Sequence, residues 1–285
     1  MTEGFSFSAS LYGADEGPVQ GVALKMERVC ILTFEGNPVA TELFRLLKDD
    51  YETFVLYTAN RSVSLVEAWR RKRGTRWLWY NLLFNAAARL YGVTHIPEPS
   101  WKELKDRYPA SFLKTDHHNS ELTRERLRSL NLDLGVLIGT PLIRPEVFEI
   151  PASGMINLHQ GNIPRYRGAP PAYWEHRNGE AEMFVTVHVV VKGLDAGAVL
   201  EEESFSIKGH GHFVVSKFRA NKMSAPMLVR AVSKRLGGCT GEPRLIDTRP
   251  NTVPEYPLLL IETLRLLGAC LYRKRLCKER DEREA

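Results

Sequence analysis

The sequence predicts an α/β chain built on a mostly parallel sheet covered by helices on both faces. Three observations carry that reading. A compact apolar run, Val29-Cys30-Ile31-Leu32-Thr33-Phe34, leads through Gly36-Asn37-Pro38 into Thr41 to Leu47 at helical spacing, which is a buried strand, a turn and a helix in succession. Short apolar strands then alternate with helical stretches, the pattern that parallel βαβ units produce. The 285 residues, 44% hydrophobic and 26% charged, suffice for one large core, or one core with a small appendage.

Taken in order, residues 1–26 are Gly- and Ser-rich with little periodicity and read as a flexible leader. The main domain is expected over residues 27–206, opening with the strand and helix just described. The turn after that first strand holds no GxGxxG, which removes the main support for dinucleotide binding. A second strand is expected at Glu52 to Tyr57, a short one at Val93 to Ile96, a helix at Ser120 to Leu130 and a further strand at Leu134 to Ile138. Between Ser62 and Tyr91, Trp69, Trp77, Leu78, Leu82, Leu83, Phe84 and Leu90 mingle with Arg70-Arg71-Lys72-Arg73 and Arg76. That segment reads either as a basic amphipathic helix touching lipid or an acidic partner, or as a surface helix with its apolar side on the core. Residues 207–285 are expected to form a short C-terminal α/β appendage, with an amphipathic helix at Leu258 to Leu271 and a basic end.

Composition excludes several classes. The longest apolar stretch, Pro257 to Tyr272, is broken by Glu262 and Arg265 and is shorter than the ~20 residues of a membrane span. Met1 to Gln20 lacks the basic start and apolar stretch of a secretory signal, so a cytoplasmic location is expected. Cys30, Cys239, Cys270 and Cys277 show neither CxxC pairing nor a neighbouring His at ligand spacing, which argues against zinc and disulfides. The net charge of +5 permits an anionic partner without requiring one.

The chemistry concentrates between Gly154 and Leu200. Met155-Ile156-Asn157-Leu158-His159 reads as a buried strand whose Asn157 and His159, two apart, share one side. Gly161, Pro164 and Gly168 then break the chain into a loop before a helical stretch containing Trp174. Phe184 to Val191 alternates as a strand and leads to Gly193-Leu194-Asp195-Ala196-Gly197, an acid in a glycine-flanked turn before the strand Ala198 to Leu200. Singly, each residue has an ordinary alternative: a core histidine, a turn-forming Asn, a turn Asp. Together at the carboxyl end of a sheet, an amide, an imidazole and a carboxylate suit acyl transfer to an amine. The Asn157 amide and a protonated His159 would stabilise the developing oxyanion, while Asp195 would orient His159 and raise its pKa.

Asn157-Leu158-His159, Pro164-Arg165-Tyr166-Arg167-Gly168 and Gly193-Leu194-Asp195-Ala196-Gly197 resemble the folate-dependent formyltransferases, the group of glycinamide ribonucleotide, methionyl-tRNA and nucleotide-sugar N-formyltransferases. The resemblance covers roughly Glu27 to Ser206. It implies a Rossmann-like sheet of the formyltransferase type, Asn157, His159 and Asp195 at the catalytic triad positions, and 10-formyltetrahydrofolate as donor. Asp133 to Ile143 is similar to the strand and loop that hold the pterin, so Gly139, Thr140, Pro141, Leu142 and Ile143 are expected to line the folate pocket. Arg165 and Arg167 are expected to bind an anionic acceptor and His188 to line the site. Gly161 and Ile163 replace residues common in the family, which puts the acceptor in doubt. A small, phosphorylated or nucleotide-sugar amine is the first expectation, methionyl-tRNA the second and hydrolysis of the donor the third. A non-catalytic scaffold contacting a membrane or partner through the basic amphipathic segments is a further alternative.

Overall fold

The structure, a computed structural model, describes residues 26–59, 74–93, 97–209, 212–246 and 248–269. The leader, the Arg70 to Arg73 cluster, most of the expected strand at Val93 to Ile96 and the basic end after 269 lie outside these residues.

Seven strands form one sheet in the order β3-β2-β1-β4-β5-β6-β7. They are β1 (Arg28–Phe34), β2 (Glu52–Thr58), β3 (Phe112–Thr115), β4 (Leu134–Leu137), β5 (Met155–His159), β6 (Glu182–Val189) and β7 (Val199–Ser206). The first five run parallel, and β6 and β7 are antiparallel additions. Strand β1 lies at the centre, with Val29, Cys30, Ile31 and Leu32 all at 0% exposure. Its residues alternate between two cores: Val29 and Ile31 join one, Cys30 and Leu32 the other. A parallel strand buried on both faces has this continuous apolar character for that reason.

On the first face pack α1 (Pro38–Leu47) and α7 (Phe213–Leu236), through Leu43, Phe44, Val214, Leu228 and Val232. Asn37 starts α1 by accepting the N–H groups of Val39 and Ala40, the usual role of an Asn cap. The second face is covered by α4 (Glu121–Ser129) and α5 (Pro145–Phe148), through Leu127, Val147 and Phe148. Strand order reverses between β1 and β4, where each crossover departs in the opposite direction, and the gap outside their carboxyl ends is the natural crevice of such a sheet.

Helix α2 (Gly74–Leu90) turns Tyr80 and Ala87 into the first core, with Tyr80 stacked on Phe213 at 5.8 Å, so its apolar side is occupied by the core. Helices α3 (Trp101–Arg107) and α6 (Tyr173–Arg177) complete the elements up to α7, and a final helical run, α8, spans 256–269. The stretch after Ser206 differs from the expected α/β appendage. Among the described residues its regular elements are two helices, joined by a stretch that makes isolated bridges at Glu242 and Asn251, and α7 belongs to the main core, where it contacts α1, β5, β6 and β7. No helix among the described residues is long and apolar enough to cross a membrane.

Candidate active site

Strand β5 carries Asn157 and His159 on one side, and its antiparallel neighbour β6 sets His188 opposite Asn157 and Thr186 opposite His159. Asp195 arrives from the turn between β6 and β7, where its backbone is left-handed at φ 44. Gly197 lets this turn lie against β6. A β-carbon there would stand 1.6 Å from the Val189 carbonyl oxygen, so only glycine fits.

The Asp195 carboxylate gathers the site. Oδ1 accepts from Asn157 Nδ2 at 3.2 Å, and Oδ2 accepts from the Gly168 backbone N–H at 2.8 Å. His159 Nδ1 lies 3.4 Å from Oδ2, and His188 Nε2 lies 3.5 Å from Oδ1. Asn157 Nδ2 is also 3.1 Å from His188 Nε2, and that imidazole is fixed by Nδ1 at 2.9 Å from the Val189 carbonyl. The amide nitrogen, Oδ1 and Nε2 thus form a nearly equilateral triangle. Asn157 itself lines the cavity, so its amide borders both this cluster and the open space.

Burial is the main influence on His159 and pushes its pKa down. Asp195 and the Tyr166 carbonyl pull it up, and His188 and Lys217 add to the lowering. The protonated His159 expected from the sequence is therefore corrected: Asp195 does favour the charged ring, but desolvation outweighs it and the resting imidazole is neutral. Nε2 donates to the Tyr166 carbonyl at 2.6 Å, which leaves Nδ1 as the basic nitrogen. Burial also opposes ionisation of Asp195. His159, His188 and the Gly168 N–H outweigh it and hold the carboxyl well below the usual range.

These residues border a cavity of about 870 Å³ at the switch between β1 and β4, within the size range of small-molecule sites. Phe34, Val39, Ile138 and Leu158 form apolar wall, and Asn157, His159 and Asp195 meet it at one end. Of the expected folate loop, Gly139 and Thr140 line the cavity, whereas Pro141 and Leu142 do not. Ile143 is 5% exposed in the second core, beside Val147 and Phe148, so its assignment to the pocket is corrected.

The expected anion-binding arginines are engaged elsewhere. Arg165 sits at the surface, paired with Glu180 at 2.8 Å. Arg167 is buried, with Nε and Nη2 donating to the Leu194 carbonyl at 2.9 and 2.7 Å and Nη1 to the Thr248 carbonyl at 2.7 Å. Three of its N–H groups hold the chain together, and Arg167 is not among the residues that line the cavity. His188 stands behind Asn157 and outside the cavity wall, 3% exposed.

Two cations do border the cavity, Arg76 on α2 and Lys217 on α7. The Lys217 ammonium donates to the amide oxygens of Gln160 and, at 3.2 Å, Asn221, both neutral partners. Burial pushes its pKa down to about 8. Nothing in the sequence separates Lys217 from the other basic residues of α7; the one available signal is the i, i+4 spacing of Lys217 and Asn221.

A family model described as formyl transferase matches residues 91–232. Methionyl-tRNA formyltransferase from Thermodesulfovibrio yellowstonii is 33% identical over 129 residues, covering 45% of this chain and 40% of that protein. The chain spans 35% to 56% of the length of other proteins of that name. Glycinamide ribonucleotide transformylase 1 from Symbiobacterium toebii superposes with a TM-score of 0.52 at 17% identity, over 78% of this chain and 95% of that one. WlaRD, a sugar 3N-formyl transferase solved with dTDP and 5-N-formyl-THF, gives 0.51 at 14% identity, over 80% and 70%. At these identities the two structures speak to the fold alone.

Proposed function

We propose that this chain, matched by the formyl transferase family model over residues 91–232, transfers a formyl group from 10-formyltetrahydrofolate to the primary amine of a small acceptor. The observation that carries the reading is the convergence of Asn157, His159 and His188 on the Asp195 carboxylate at one end of the cavity. The donor would supply the formyl carbonyl. The apolar walls suit a flat pterin ring, and the exposed backbone at Gly139 and Thr140 suits its polar edge.

Asn157 would direct an amide N–H at the formyl oxygen as negative charge develops there. His159, neutral at rest, would take the proton leaving the amine at Nδ1 and give it up to N10 of the folate as the bond between the formyl carbon and N10 breaks, so that tetrahydrofolate leaves. Asp195 is too weak a base to keep that proton, and its permanent charge 3.4 Å away would stabilise the imidazolium instead. Lys217 supports an anionic acceptor, such as a phosphorylated or nucleotide-sugar amine, in place of Arg165 and Arg167. The methionyl-tRNA relative favours aminoacyl-tRNA as the second reading.

The test measures folate release from the formyl donor with and without candidate amines, methionyl-tRNA included. Release that needs an amine supports transfer, and release without one points to hydrolysis. Asn157→Ala and His159→Ala should each lower turnover more than ~100-fold with the fold intact, since an oxyanion donor contributes about 3 kcal/mol. Near-wild-type turnover in either variant would refute the assignment.

A further inference from the structure

Behind the triad lies a buried carboxyl group that this chemistry does not use. Glu175, on α6, is 2% exposed and its Oε1 has no hydrogen-bond partner among the described residues. A carboxyl buried in this way is costly to ionise. What it faces is defined by Gly161. A β-carbon on Gly161 would stand 2.7 Å from His159 Nε2, 2.7 Å from the Tyr166 carbonyl oxygen and 3.3 Å from Glu175 Oε1. The three atoms therefore crowd the one point where a side chain would begin, and the absence of a side chain at Gly161 lets them come together. His159 Nε2 donates to Tyr166 O at 2.6 Å beside it, so the imidazole has Asp195 along its Nδ1 edge and Glu175 beyond its Nε2 edge.

We infer, resting on the proposed role of His159, that Glu175 is a positioning residue whose ionisation sets the basicity of the imidazole from the side opposite Asp195. Burial is the main reason Glu175 is raised to about 7; its own backbone N–H opposes the rise and the Glu180 charge adds to it. The neighbouring charges are few. Glu180 follows α6 and is held by Arg165 at 2.8 Å and the Tyr166 hydroxyl at 2.7 Å. His176 of α6 is tied to Ser216 on α7 at 2.7 Å. Asp195, His188 from β6 and Lys217 from α7 act on His159. Beyond Thr186, Glu202 of β7 lies 3.5 Å from that hydroxyl and 3.6 Å from Arg244.

Glu175 then keeps its proton up to about pH 7, in a range where His159, pushed down by burial, has already lost its own. While the proton is on Glu175, the ring is neutral. Once Glu175 is ionised, its charge makes the ring a stronger base, so turnover should rise as pH increases through about 7.

The experiment is a pH titration of the full chain, labelled with ¹⁵N-histidine and free of substrates, with the His159 signals assigned through His159→Asn. The wild type should show a His159 response near neutral pH and a second at lower pH. Glu175→Gln should lose the neutral step and keep the lower one. Glu175→Met, with similar reach and no charge, should do the same and serves if Glu175→Gln does not fold. Superimposable His159 curves in the wild type and a folded Glu175 variant would overturn the inference. As a second readout, Glu175→Gln should lower kcat about tenfold above pH 7 and flatten its rise; an unchanged pH profile counts against the inference. If no amine is formylated, the proposed function fails, while the ring titration still decides the role of Glu175.

Discussion

Replacing Arg167 with Met separates the two roles open to an arginine in this loop, ligand and tie. The guanidinium makes three hydrogen bonds to two backbone carbonyls, those of Leu194 and Thr248. Bonds to a charged donor contribute about 1.5 to 3 kcal/mol each, and a carbonyl left unpaired in the interior costs more than a bond never made. With part of the loss recovered by water, the substitution should cost about 4 kcal/mol. For a chain of this size, that lowers Tm by about 10 °C. Leu194 immediately precedes Asp195, and Gly168, next to Arg167, donates to the same carboxylate, so the loss should also shift the catalytic groups. Misplacement on the order of 1 Å costs about 100-fold in turnover. Thermal unfolding and steady-state kinetics on Arg167→Met give the answer together. A variant that melts within 2 °C of the wild type and shows only a raised KM for an anionic acceptor would show that Arg167 is a ligand and that the reasoning is wrong.

Two further outcomes follow from the site and its surroundings. Lys217→Met should raise the KM of the substrate whose anionic group it meets by roughly 10- to 100-fold with little change in Tm, the loss of one charge-assisted contact; unchanged KM for both substrates would exclude Lys217 from binding. Burial holds His118 and His212 down at about 4, so both stay neutral in the folded chain while the unfolded chain takes up protons below about 6.5. Their contribution is therefore fully present above pH 6.5 and drains away as pH falls toward 4, at about 3 kcal/mol each. Urea unfolding of His118→Gln should show a flatter loss of stability between pH 7 and 4.5 than the wild type, and parallel curves would contradict this.

Much of the fold could be read from local pattern. Strands β1, β2, β4, β5 and β6 are runs of apolar or β-branched residues, and Asn37 and Ser120 announce their helices as caps. Strand β3 escaped because it is four residues long and carries Lys114. Helix α7 escaped because its mixture of Lys, Arg and Ser with a central Pro226 hides a buried face. At the site, Asn157, His159 and Asp195 stand out as unusual residues in a strand and a turn. Arg167 looked like a ligand because a basic loop residue next to a catalytic strand usually faces solvent. What it meets instead are carbonyls from residues 194 and 248, and main-chain partners that distant leave no local trace. The charge of His159 was misjudged for a related reason: the attraction of Asp195 is visible in the motif, whereas the depth of burial that overrides it depends on the whole fold.

Residues 248–252 act on the loop through main-chain atoms as well as position. The Thr248 carbonyl holds Arg167, the Asn251 N–H meets the Arg167 carbonyl at 2.7 Å, and the Thr252 carbonyl receives Trp174 Nε1 at 3.1 Å. The Thr248 hydroxyl adds a side-chain bond to the Pro164 carbonyl, and the remaining contacts depend on the path of the backbone. The segment lies past the matched 91–232 stretch, and β1, at the middle of the sheet, lies before it. Transplanting the matched stretch alone would leave the catalytic loop unfastened at one end and the sheet without its spine at the other.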